Sequence, residues 1–160
     1  MNFNGVYTAI ITPFKSNGSY DEEGFQELLE KQVEAGVQGI VVLGTTGEST
    51  TITSEEKKRI IQFARKHVNS SIKLMVGTGT NSTATTIEET VMADEMGADG
   101  ALVVAPYYNK PTQEGLYFHY KAITEATKLP LIIYNIYWNL GASSLKISSL
   151  HISFYKRCPN

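Results

Sequence analysis

The chain has a single cysteine, Cys158, so no intrachain disulfide is possible. Among its 160 residues there is one tryptophan, Trp138, and only five prolines. No apolar run reaches the roughly 18 residues that a membrane-spanning helix requires, which leaves a bilayer location without support. An excess of one charge is also missing. Fourteen Lys and Arg face sixteen Asp and Glu, a formal net charge of -2, which gives no electrostatic argument for nucleic acid or for a membrane surface. The opening Met1-Asn2-Phe3-Asn4 lacks the basic and apolar regions of a secretory signal, so a cytoplasmic protein is expected. His67 and His119 have no second His, Cys or carboxylate at ligand spacing, so no metal site is read, and both are expected on solvated helix faces.

Acidic residues are missing from one end as well. All sixteen lie between Asp21 and Glu125, and from Tyr137 to Asn160 there are none, while that stretch holds Lys146, Lys156, Arg157 and the lone Trp and Cys. The composition divides the chain into residues 1–136 and a different tail, 137–160.

Residues 1–136 repeat one unit. Val6 to Ile11 is an extended, β-rich run closed by Thr12-Pro13. Asp21 to Ala35 follows with Phe25, Leu28, Leu29 and Val33 at helical spacing and Gly36 where a helix commonly ends. Val37 to Leu43 reads as a strand buried on both faces. Thr53 and Glu56 then offer a capping box ahead of Ile60, Ile61, Ala64 and Val68. The pattern recurs with Lys73 to Val76 and the helix Thr85 to Met96, where Ile87 and Val91 mark one face. Ala101 to Ala105 with Thr112 to Ala126, and lastly Leu131 to Tyr134, complete five strands and four helices. Gly36-Val-Gln-Gly39-Ile-Val-Val is echoed by Gly97-Ala-Asp-Gly100-Ala-Leu-Val-Val 61 positions on, two units of about thirty residues each. Alternating strands and helices imply a parallel sheet, either open and doubly wound or closed as a barrel. Gly44-Thr45-Thr46-Gly47-Glu48 is neither a dinucleotide fingerprint nor a Walker loop.

The distinctive polar residues fall just after strands: Thr45 and Thr46 after the second, Gly77-Thr78-Gly79-Thr80 after the third, Tyr107-Tyr108-Asn109 after the fourth, Tyr134-Asn135 after the fifth. In a (β/α)8 barrel, that is the face on which active sites are built. Tyr107 and Tyr117 read as packing or interface aromatics, and Glu55-Glu56-Lys57-Lys58-Arg59 as a charged surface run at a helix start.

Gly44-Thr45-Thr46-Gly47-Glu48-Ser49 and Pro106-Tyr107-Tyr108-Asn109-Lys110-Pro111-Thr112-Gln113-Glu114-Gly115-Leu116-Tyr117 resemble the two signature loops of the 4-hydroxy-tetrahydrodipicolinate synthase (dihydrodipicolinate synthase) family of pyruvate-dependent class I aldolases. Thr8 to Phe14 and Leu129 to Ile136 are similar to the same family. The resemblance implies an incomplete (β/α)8 TIM barrel of about five βα strands, followed by an atypical tail. It implies a lyase that condenses pyruvate with L-aspartate 4-semialdehyde through a Schiff base, in lysine (diaminopimelate) biosynthesis, without a metal or organic cofactor. It makes Tyr134 the proton donor and acceptor beside the Schiff base, Thr45 the relay of that proton and Tyr108 its continuation. Backbone N–H groups around Thr45 and Thr46 would hold the pyruvate carboxylate. A homo-oligomer is implied, because the family's counterpart of Tyr108 reaches into a neighbouring subunit's site.

After Ile136 the resemblance changes. Tyr137-Trp138-Asn139-Leu140 stands where the family has a Pro-Gly-Arg type of turn, and the family's Schiff-base lysine falls beyond Asn160. Neither Lys146 nor Lys156 sits in a matching segment, so these residues alone are expected to be inactive, marginally stable and prone to self-association. Leu145 to Tyr155 offers a makeshift extra strand. Two other readings stay open: a sister pyruvate aldolase acting on N-acetylneuraminate or 2-keto-3-deoxy sugar acids, and a non-catalytic half-barrel serving as an interaction partner.

Overall fold

The computed structural model describes residues 3–135 and 152–155. They form two compact units. The first runs from Phe3 to Gly77 and takes in Met96–Asp99; the second holds Thr78–Glu95 and the described residues from Gly100 onward.

In the first unit, β1 (Tyr7–Ala9), β2 (Gly39–Val42) and β3 (Lys73–Gly77) pair in parallel, Tyr7 opposite Gly39 and Gly39 opposite Lys73. β1 is shorter than the run Val6 to Ile11, whose ends are exposed, although Ile10 N–H still donates to Val41 O at 3.1 Å. All four residues of β2 are buried, as a continuous apolar strand covered on both faces must be. The helix α1 (Glu22–Glu34) starts where Asp21 accepts from Gly24 N–H and turns Phe25 and Leu29 inward. It ends at Gly36, whose φ of +71° is a left-handed conformation open to glycine at little cost. The helix α2 (Ser54–His67) carries the full capping box, Thr53 accepting from Glu56 N–H and the Glu56 carboxylate accepting from Thr53 N–H. The Thr53 hydroxyl, which donates to that carboxylate at 2.6 Å, and then the Thr53 N–H hold the Glu56 carboxyl below its usual range. Ile60, Ile61 and Ala64 of α2 are fully buried.

The charged run at the start of α2 is only partly a surface feature. Lys58 pairs with Glu55 and Arg59 with Glu22, but Lys57 is buried at 7% exposure. The lysine stem packs as an apolar chain, which charge counting along a sequence does not register. A tighter ionic cluster joins α2 to β3: Asp99 accepts from Arg65 Nη1 at 3.0 Å, Lys73 Nζ at 2.8 Å and Leu74 N–H at 3.0 Å.

The second unit contains α3 (Thr83–Glu95), β4 (Gly100–Val104), α4 (Gln113–Ala126), β5 (Leu131–Tyr134) and β6 (Ile152–Tyr155). β4 and β5 are parallel, with Ala101 opposite Leu131 and Val104 opposite Tyr134. The internal repeat has a structural counterpart, since Gly36 and Gly97 are both left-handed helix ends and Gly39 and Gly100 begin β2 and β4. The extra strand also forms, over Ile152–Tyr155, and it runs antiparallel to β5. Leu145 and Ile147, Lys146 and Lys156, and the turn from Tyr137 to Leu140 lie outside the described residues.

Two expectations fail in this unit. The buried face of α3 is Thr86, Thr90 and Ala93, while Ile87 and Val91 are half-buried. Threonine can be buried there because each hydroxyl is bonded. Thr90 Oγ1 donates to Thr86 O at 2.6 Å and meets Thr78 Oγ1 at 2.8 Å, and Thr86 Oγ1 bonds Ser82 O and Thr80. His119 is not on a solvated face: it is 5% exposed, with Nδ1 at 2.8 Å from Thr83 Oγ1 and Nε2 buried without a partner. His67 is half-buried, stacked on Phe63 at 4.0 Å between ring centroids.

Candidate active site

The residues singled out in the sequence lie at the carboxyl ends of the strands, and each loop can be followed from its own unit. After β2 the chain turns sharply: Leu43 has φ +55° and Glu48 φ +57°, both left-handed, which strains a residue with a Cβ. Leu43 is buried, so packing holds its conformation, and between the two lie Thr45 and Thr46, both exposed. Gly47 N–H donates to Gly44 O and Glu48 N–H to Thr45 O, which curls the loop back on itself. Strained backbone of this kind persists where the surroundings over-determine it, and it concentrates at functional sites.

Two supports for this loop come from outside it. Thr12, buried in the segment after β1, donates its hydroxyl to Gly47 O at 2.8 Å. The end of β3 passes so close that a Cβ on Gly77 would stand 2.1 Å from Leu43 O. Sequence reading treated Thr12 only as the end of a strand; a hydroxyl next to a proline gives no sign that it will be buried 35 positions away from its acceptor.

In the second unit the pattern repeats. Tyr108 has φ +70° and Lys110 φ +46°, so the loop after β4 is the other place where left-handed residues with side chains occur among the described residues. Tyr108 is 89% exposed and projects from the loop. Asn109 anchors it, Nδ2 donating to Asn81 O at 2.8 Å. Tyr134 closes β5, half-buried, and its carbonyl accepts from Ala105 N–H at 3.0 Å, so the Tyr108 loop leaves the sheet beside Tyr134. The next residue, Asn135, buries its side-chain Oδ1 without a partner. Gly79, after β3, lies against β4; a Cβ there would meet Val104 N at 2.3 Å. Thr45 and Thr46 thus share one loop, while Tyr108 lies in the loop after β4 and Tyr134 at the end of the neighbouring parallel strand β5. Tyr107 is half-buried and Tyr117 exposed, edge-on to Phe118 at 5.5 Å.

Successive βα units with polar, strained loops at the carboxyl ends of parallel strands define a chain of the (β/α)8-barrel class, in which such loops carry the chemistry. No helix among the described residues is long and apolar enough to cross a membrane, and no group of three or more His, Cys, Asp or Glu among them could hold a metal ion.

Comparison with known proteins narrows the class. The model of the dihydrodipicolinate synthetase family matches residues 2–152, and the chain belongs to that family. The 4-hydroxy-tetrahydrodipicolinate synthase of Protochlamydia amoebophila is 52% identical over 141 residues, 88% of this chain and 47% of that protein. The solved 4-hydroxy-tetrahydrodipicolinate synthase of Methylacidiphilum fumariolicum SolV superposes with a TM-score of 0.87 at 45% identity, covering 90% of this chain and 48% of that one. The chloride-inhibited dihydrodipicolinate synthase of Acinetobacter baumannii, solved with pyruvate, gives 0.87 at 46% identity, over 89% of this chain and 49% of that one. The chain spans about half the length of the curated relatives it matches.

Proposed function

We propose that residues 1–136 carry the pyruvate-handling loops of a 4-hydroxy-tetrahydrodipicolinate synthase, a lyase that joins pyruvate to L-aspartate 4-semialdehyde in lysine biosynthesis. The observation that supports it most is the coincidence of two features. The loops most similar to the family's signatures, after β2 and β4, are also the two places among the described residues where residues with side chains are held in left-handed backbone. Such strain needs a reason, and a fixed oxyanion-binding loop is one.

In that reading the exposed loop at Thr45 and Thr46 offers backbone N–H groups to the pyruvate carboxylate. An amine attacks the ketone carbon, water leaves, and loss of a methyl proton turns the Schiff base into an enamine whose carbon adds to the aldehyde. The resemblance gives Tyr134 the role of proton donor and acceptor beside the Schiff base, and Thr45 and Tyr108 the roles of proton-relay hydroxyls. The exposure of Tyr108 agrees with a role toward a neighbouring subunit in a homo-oligomer.

Residues 137–160 form a separate tail in this reading, and the amine is not supplied by residues 1–160: Lys146 and Lys156 lack the family's surroundings in sequence. Incubation with pyruvate, borohydride reduction and intact-mass analysis tests it. No adduct on this chain is expected under conditions in which the Protochlamydia amoebophila synthase is labelled. A pyruvyl adduct on Lys146 or Lys156 would show that the tail supplies a nucleophile and overturn the assignment.

A further inference from the structure

β5 is apolar along its length, with Leu131, Ile132 and Ile133 all buried, and it has two edges. One is taken by β4. Ala101 N–H donates to Pro130 O and Ala105 N–H to Tyr134 O, so the backbone groups of Pro130 and Tyr134, and by alternation those of Ile132, face β4. The N–H and C=O of Leu131 and Ile133 therefore face the other way, toward β6. In the β6 register Leu131 stands opposite Tyr155 and Ile133 opposite Ser153, which makes these the hydrogen-bonded pairs. Ile132 opposite Phe154 and Tyr134 opposite Ile152 are then the pairs without backbone bonds.

We propose that β6 is an edge guard, an intrachain strand that closes the outer edge of β5 to strand addition by a second copy of this chain. Direction is the first argument. A series of βα units extends a sheet by parallel strands, and β6 is antiparallel, so it does not continue the series; what its pairing provides is cover for the backbone groups of β5. Composition shows what β6 excludes. An uncovered Leu-Ile-Ile-Tyr edge is apolar, rich in β-branched residues and uncharged, the composition that templates strand pairing. β6 shows that this edge accepts an antiparallel partner, and β5 of a second copy, related by a twofold axis, is one with an identical sequence. Third, β6 is followed at once by Lys156 and Arg157, in a stretch without acidic residues, and basic charge beside an edge strand is a recognised deterrent to pairing between molecules.

The test uses the full chain with two single substitutions. Ser153→Pro removes the N–H directed at Ile133, whereas Phe154→Pro removes one directed away from β5. Hydrogen exchange of the β5 amides and sedimentation velocity over a concentration series are the readouts. Ser153→Pro is expected to speed exchange at Leu131 and Ile133 by about tenfold or more, leave Ile132 and Tyr134 protected by β4, and raise the weight-average mass toward two copies. Phe154→Pro should do less of both. The proposal is overturned if Ser153→Pro frees Leu131 and Ile133 with no gain in self-association. It is equally overturned if all four amides are released together, since β6 would then be a support of the fold and not a guard. A locked form gives the converse test: Ile132→Cys with Phe154→Cys, in a Cys158→Ser background, sits at a non-hydrogen-bonded pair whose Cα spacing of about 4.5 Å suits a disulfide. Oxidation should lower self-association relative to the reduced chain, and equal association in the two states would refute the proposal.

Discussion

Replacing Asp99 by alanine removes three hydrogen bonds from one carboxylate: those from Arg65 Nη1 at 3.0 Å, Lys73 Nζ at 2.8 Å and Leu74 N–H at 3.0 Å. Hydrogen bonds to a charged partner contribute about 1.5–3 kcal/mol each when shielded, and exposed ion pairs about 1 kcal/mol or less. The Asp99 side chain is 18% exposed and the two cations 25% and 30%, so both cations can regain water once the carboxylate is gone. That places the total well below the sum, and Asp99→Ala should cost about 2–3 kcal/mol. Asp99→Asn keeps an acceptor for Leu74 N–H but loses the charge, and should cost about 1–2 kcal/mol. Urea unfolding followed by far-UV circular dichroism at pH 7 measures both. The pH dependence adds a second check. Burial alone would raise the Asp99 carboxyl, but the Lys73 hydrogen bond, the Leu74 N–H and the charges of Lys73 and Arg65 outweigh it and hold the group below its usual range. A depressed folded pKa stabilises above the unfolded value of about 3.9 and loses that contribution as pH falls through the folded one. The gap between the native chain and Asp99→Asn should therefore be full at pH 7 and pH 5 and shrink below about pH 4. Equal midpoints at pH 7, or a gap that persists unchanged into strong acid, would refute the account of the cluster.

Burial lowers the His119 pKa, so the unfolded chain binds this proton more readily than the folded one. Stability from this group is complete above about pH 6.5 and falls as pH drops from there toward the folded value; urea midpoints at pH 7.5 and 5.5 should differ less in His119→Leu than in the native chain. Gly77→Ala should destabilise by about 3 kcal/mol or more, because its Cβ meets the Leu43 carbonyl, backbone that cannot swing aside. Gly39→Ala, whose Cβ meets first the Tyr7 ring, a side chain and not backbone, should cost less in the same thermal or urea measurement.

Much of the fold was legible because its signals are local. The Thr53–Glu56 capping box and the helix-ending Gly36 depend on neighbours a few positions away, and both form as read, while the buried strand read over Val37 to Leu43 forms over Gly39–Val42. β5 begins and ends where the apolar run does, and the loops after β2 and β4 were marked by their residue types before their left-handed backbone was visible. Resemblance in those same loops pointed to the family.

Tertiary structure decided what depends on distant partners. A threonine hydroxyl reads as polar until something bonds it, so the inner face of α3 passed to Thr86 and Thr90, away from Ile87 and Val91, only once Thr78, Thr80 and Ser82 stood beside them. His119 was buried by packing of α4 on α3, where Thr83 meets its Nδ1, whereas the polar residues around it in the sequence had placed it in solvent. Lys57 is buried despite its charge, and the aliphatic stem that lets a lysine lie along apolar surface is a property that residue charge conceals. The tail sequence announced a strand by its alternation of apolar residues, but alternation has period two in either direction, so only pairing along the free edge of β5 fixed it as antiparallel.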